Sequence, residues 1–176
     1  MDFLAGNTWE HFNLALVAEK TSLPLGQVFQ VFPEKDMILL SLFHELDQKH
    51  LSSLETSPES LPSKDTLFEF FMVRFDLMND KRDFFRNAHK IWRENPRLGL
   101  RRAAFLRRFF QQIFDLISLN TQDILGEIRL QGLLYCYYQM VSTWENDPSE
   151  GLEATMAKVD EYLAHFLHYG GVNQEV

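Results

Sequence analysis

The spacing of apolar residues near the C-terminal end constrains this chain most: Leu152, Met156, Val159, Leu163 and Phe166 follow one another at steps of four and three. A strand repeats its face every second residue and an α-helix about every 3.6, so only a helix gathers these five on one side. The same period runs from Arg97 to Leu119, where Leu98, Leu106, Phe109, Ile113 and Ile117 share a face opposite Arg97, Arg101 and Arg108. Sixteen Phe against eight Gly and six Pro fit long helices around an aromatic core rather than many short strands. The expected fold is all-α, with little or no sheet.

Helices are predicted over about 11–20 and 24–31, with Pro24 in a first turn, and then over about 34–54. The stretch 55–63, with Pro58 and Pro62 among polar residues, reads as a linker and divides a head of residues 1–54 from a larger bundle of residues 63–176. In the bundle, helices are predicted from a cap at Ser63 or Asp65, over 81–94, and over 97–119 after the Asn95-Pro96 break. Two more follow, one from a cap at Thr121 to Asn146 and one from Glu150 to a stop at Gly170-Gly171.

The net charge of −8 hides a segregation. Residues 1–80 sum to −8, residues 81–108 to +8 and residues 109–176 to −8. A basic middle of this kind either meets an anionic partner or is neutralised by its acidic flanks. No apolar run approaches the ~18 residues of a membrane span, and the first residues lack the basic start and apolar stretch of a secretory signal, so a cytoplasmic protein is expected. The single cysteine, Cys136, has no disulfide or metal-ligand companion and reads as a packing residue.

Two short helices, a tight turn and a long third helix make the layout of a helix-turn-helix. The residues that fill it are Trp9 at the entry, Val17-Ala18 closing the first helix, Thr21-Ser22-Leu23 at the turn, Gly26, Phe29 and Phe32 on the second helix, and Lys35 opening the third. In that order they resemble the DNA-binding domain of the TetR family of one-component transcriptional regulators. Tyr138, Trp144, Asp147, Thr155-Met156 and Asp160 are similar to positions in the effector-binding and dimerisation domain of some members. The resemblance implies a homodimer paired through its last two helices and a cavity for a small hydrophobic ligand. It also implies operator contacts from Gln27, Gln30 and Lys35, with Val28, Phe29 and Phe32 seating the recognition helix.

Three departures weaken the DNA reading. Only eight residues precede Trp9, so the bundle supporting the helix-turn-helix is expected to be shortened. The family's recognition-helix tyrosine is replaced by Phe29, which has no hydroxyl for a phosphate. Residues 1–50 carry three lysines against seven acids, whereas DNA affinity comes largely from neutralising phosphates. The alternative is a TetR-fold protein without DNA binding, a lipid-binding accessory similar to the ubiquinone-biosynthesis proteins of this fold.

Phe71, Phe75, Met78, Trp92, Tyr137, Met140 and Trp144 are the expected lining of an apolar ligand pocket between helices. Arg82, Arg86, Lys90 and Arg93 follow one face of a helix that carries Phe84, Phe85, Ile91 and Trp92 elsewhere, a pattern suited to peripheral contact with an anionic membrane. His44 and His89 read as structural histidines. No metal-ligand spacing, phosphate loop or nucleophile elbow is present, so neither a cofactor nor an enzymatic activity is expected.

Overall fold

The computed structural model describes residues 9–53, 64–116 and 123–169, and within them every regular element is helical. The helices are α1 (Leu14–Thr21), α2 (Leu25–Val31), α3 (Asp36–Ser53), α4 (Lys64–Asn79), α5 (Arg82–Glu94), α6 (Pro96–Leu116), α7 (Ile124–Asn146) and α8 (Glu153–Tyr169). The all-α expectation therefore holds for the described residues. The linker 55–63, the cap at Thr121 and the Gly170-Gly171 stop lie outside them.

Caps set the helix ends. The Asn13 side-chain oxygen accepts from the Leu16 N–H at 2.9 Å, so α1 starts later than the apolar pattern alone suggested. Ser22 takes a left-handed conformation at φ 54° and returns its N–H to the last turn of α1, which lets α2 fold back against it. Asp123 begins α7 by accepting from the Gly126 N–H at 2.6 Å.

The last turn is built around one carboxylate. Asp147 Oδ2 accepts from both the backbone N–H and the hydroxyl of Thr155 at 2.7 Å, while Oδ1 accepts from the Ser149 N–H at 3.0 Å. Burial pushes the Asp147 carboxyl up, but its hydrogen bonds to Ser149 and Thr155 outweigh that and hold it down at about 2. These bonds occupy residues 147–152, so α8 begins at Glu153 rather than Glu150. Arg82 closes the other side, donating to the Trp144 carbonyl at 2.6 Å and to the Asp147 carbonyl.

A single buried cluster runs from Trp9 and Phe12 through α3 to Phe166, and a small satellite of Leu14, Ala18 and Val28 holds the head together. Helix α8 lies against α4 and α7. Leu152 just before it and its Val159, Leu163 and Phe166 are buried, each worth about 1.5–3 kcal/mol. These residues are used inside one chain, so a pairing of two chains through the last two helices would have to use other faces of them.

Candidate ligand site

A cavity of about 360 Å³ opens between α5, α6 and α7. His89, Trp92 and Arg93 line it from α5; Gly99, Arg102 and Leu106 from α6; Tyr137, Tyr138, Val141 and Ser142 from α7. The Asn95-Pro96 break positions two of these walls: the Asn95 amide caps the Ile91 carbonyl at 2.8 Å, and α6 starts immediately after it. Gly99 then passes the end of α5 so closely that a Cβ there would stand 3.0 Å from the Trp92 carbonyl oxygen.

Of the seven residues expected to line a pocket, Trp92 and Tyr137 line this cavity. Phe71, Phe75, Met78, Met140 and Trp144 are wholly buried and fill the interior with stacked rings, such as Phe75 against Trp144 at 6.3 Å. That stripe of aromatics is core, and the space lies to one side of it.

Behind Arg102 and Tyr137 of the cavity wall lies a buried polar, cationic cluster. Arg74 is fully buried and satisfied: Nε donates to the Tyr137 hydroxyl at 2.9 Å and Nη2 to Asp47 Oδ1 at 2.7 Å. Arg102, 4 % exposed, rests on the Phe43 and Trp92 rings at 4.5 and 5.4 Å. Its Nη1 lies 3.5 Å from the second Asp47 oxygen and, among the described residues, makes no hydrogen bond. The buried Trp92 Nε1 is likewise without a hydrogen-bond partner. Burial, reinforced by the Arg74 guanidinium, holds His50 down at about 3 and therefore neutral. Around Asp47 two guanidiniums thus face one carboxylate.

The cavity meets the surface at a second group. His89 Nδ1 lies 2.9 Å from Glu145 Oε1, and Arg93 Nη1 lies 2.9 Å from Glu145 Oε2. Burial lowers the His89 pKa against the opposing pull of Glu145. Arg93 also lines an outer groove of about 460 Å³ with Arg86 and Lys90. Of the expected basic face, Arg86 and Lys90 are exposed, Arg93 is exposed but paired with Glu145, and Arg82 is turned inward over the Trp144 ring.

In the head, Gln27 and Gln30 are exposed on α2. Lys35 is not: its ammonium donates to the Trp9 and Phe12 carbonyls at 2.9 and 3.2 Å and sits 4.8 Å from the Trp9 ring. Val28 is buried as expected, but Phe29 is 48 % exposed and joins Leu23, Leu25 and Val31 in an apolar surface.

Sequence reasoning missed Arg74 and Arg102, although each left a signal. Arg102 falls four residues after Leu98 and four before Leu106, and Arg74 falls between Phe71 and Met78 on the buried side of α4. A charge in an apolar register marks a buried ion. Among the described residues no group of three His, Cys, Asp or Glu is placed to hold a metal ion, and no helix is long and apolar enough to cross a membrane. No protein-family model, curated protein or solved structure matches the chain.

Proposed function

We propose that this protein is a TetR-like ligand-binding protein, organised as a one-component transcriptional regulator, in which the cavity between α5, α6 and α7 takes a small hydrophobic ligand. The cavity is the observation that carries the reading: its volume of about 360 Å³ lies in the range of small-molecule sites, and its walls are mainly aromatic and aliphatic with a few convergent polar groups. The element order supports the TetR-like part, with α1 and α2 joined by a tight turn, a long α3 behind them and a bundle of α4 to α8.

A second reading keeps the ligand and drops the operator, leaving a TetR-fold accessory that handles a lipid. Helix α2 favours it, because its exposed side offers Gln27, Gln30, Leu25, Phe29 and Val31 but no cation. With Lys35 also engaged, the head has little with which to neutralise phosphates. Ligand binding is common to both readings and is the function proposed first.

Titration with Nile red, a neutral dye whose emission rises in apolar surroundings, tests the cavity. Leu106→Trp and Val141→Trp fill it from α6 and α7. Loss of dye binding in both, with cooperative unfolding retained, is the expected result; undiminished binding in both removes the proposal.

A further inference from the structure

One nitrogen of His89 is fixed by the protein and the other is left open. Nδ1 lies 2.9 Å from Glu145 Oε1, and Arg93 Nη1 lies 2.9 Å from Glu145 Oε2. Burial pushes the Glu145 carboxyl up, but its contacts with His89 and Arg93 outweigh that and hold it down, so the group is ionised and can only accept. The proton shared with Glu145 therefore sits on Nδ1. Burial also keeps the imidazole neutral, and a neutral imidazole carries one N–H, so Nε2 presents a lone pair. The Phe43, Trp92 and Trp144 rings, with centroids 5.8, 5.2 and 6.3 Å away, hold the imidazole in that attitude.

Among the described residues nothing uses this lone pair. The indole N–H groups of Trp92 and Trp144 have no hydrogen-bond partner, so neither donates to it. Nε2 is not one of the polar atoms sealed from solvent, and the His89 side chain keeps 10 % of its surface open. That residue is part of the cavity wall, next to Trp92 and Arg93 of the same helix and facing Leu106 of α6 and Val141 of α7. The cavity thus offers one oriented acceptor amid apolar walls.

We infer that the cavity ligand carries a neutral hydroxyl on an apolar body and donates it to His89 Nε2. This inference rests on the ligand-binding reading above and specifies its chemistry. A hydroxyl hydrogen completes a nitrogen lone pair, whereas a carboxylate brings only acceptors to it and a hydrocarbon brings no donor at all. The apolar body lies along Trp92, Leu106 and Val141. Glu145 is a positioning residue, since it places the proton on the far nitrogen and keeps Nε2 free to accept.

Competition with bound Nile red tests the inference, using 2-naphthol and 2-methylnaphthalene, which has the same shape without the donor, on the wild type and on His89→Phe. The preference for the naphthol over the methyl compound is expected to fall about three- to tenfold in the variant, the worth of one neutral hydrogen bond. 2-Naphthoate should compete less well than 2-naphthol. Nitrogen NMR of the wild type needs no substitution, so it decides even if His89→Phe fails to fold. His89 Nε2 should resonate as an unprotonated ring nitrogen and move clearly further upfield with 2-naphthol than with 2-methylnaphthalene. A preference kept in His89→Phe, a nitrogen signal that bound 2-naphthol leaves in place, or stronger competition by 2-naphthoate overturns the hydroxyl inference and leaves the cavity reading standing. So does failure of both naphthalenes to displace the dye. If Nile red itself does not bind, both fall.

Discussion

The ammonium of Lys35 lies 2.9 Å from the carbonyl oxygen of Trp9, and this contact ties the entry of the chain to the start of α3. A lysine at this point is suited to a phosphate by sequence, yet its donors are spent on backbone and its charge on the Trp9 ring. Lys35→Met is therefore expected to cost about 1–3 kcal/mol of stability, from lost hydrogen bonds and a cation–π contact. Duplex DNA should bind wild type and variant alike, no more tightly than the ~10⁻⁴ to 10⁻⁶ M of nonspecific complexes. A nanomolar operator complex abolished by Lys35→Met, with thermal stability unchanged, would return Lys35 to the DNA interface.

Helix α7 provides the surface that the buried α8 seam does not. Ile124, Ile128, Tyr135 and Tyr138 are exposed on one side of it, at 81, 61, 60 and 48 %. An apolar strip of that length is more than a monomer usually leaves in water. Antiparallel pairing of two copies about a two-fold axis near Gln131 would set the isoleucines of one α7 on the tyrosines of the other. Ile128→Lys combined with Tyr135→Glu is expected to yield a stable monomer, whereas Val159→Glu or Leu163→Glu should unfold the chain, since neither residue is exposed at all. Sedimentation of the unaltered protein as a monomer at micromolar concentration removes the dimer.

The helices were legible because long amphipathic segments carry their period in full, and the presence of α8 and the start of α6, to within one residue, were recognised from it. The starts of α1 and α8 were not, because Asn13 and Asp147 set them through side-chain hydrogen bonds that apolar spacing does not encode. The pocket was harder to read. Periodicity says that Phe71, Phe75 and Trp144 face inward, but it does not distinguish a filled interior from a hollow one. Whether space remains depends on how α5 and α6 diverge after Asn95 and on Gly99, which are properties of the packed helices. The basic face divided for a similar reason. Arg82 and Arg86 share a side of α5, but only Arg82 reaches the open carbonyls at the end of α7.

Acid should weaken the fold in two overlapping steps. His50, lowered to about 3, and His89, also lowered, are neutral when folded, so their contribution is complete above the ordinary histidine value of 6.5 and is lost as pH falls below it. Asp147 is held at about 2 against an ordinary 3.8, so its contribution is complete above about 4 and is lost as pH falls toward 2. Asp147→Asn is expected to remove on the order of 2 kcal/mol at neutral pH and to flatten the stability profile in the lower window only. Urea unfolding from pH 7 to pH 2 measures both steps; a variant profile parallel to wild type throughout would remove Asp147 from the account.

The outer face of α5 sets the limit on any membrane role. Arg82 is committed to the Trp144 and Asp147 carbonyls, and Arg93 to Glu145, so the four basic residues of the sequence pattern reduce to Arg86 and Lys90. Lys90 has only a long, exposed contact with Glu94 at 3.9 Å, and Arg86 makes no ion pair among the described residues. Each cation near an anionic bilayer contributes on the order of 1 kcal/mol, so the pair together supplies about 2 kcal/mol, or roughly a thirtyfold change in partitioning. Co-sedimentation with phosphatidylserine vesicles at low salt should therefore be detectable, should fade at high salt, and should fall by at least that factor when Arg86 and Lys90 are both changed to Glu. Neutral phosphatidylcholine vesicles should retain neither protein. Arg82→Glu is the control that separates charge from structure: it should lower thermal stability by breaking the α7 to α8 turn, a loss the surface variant does not share. If the double variant binds anionic vesicles as well as the wild type, or if neither binds, the face of α5 is a solvated surface.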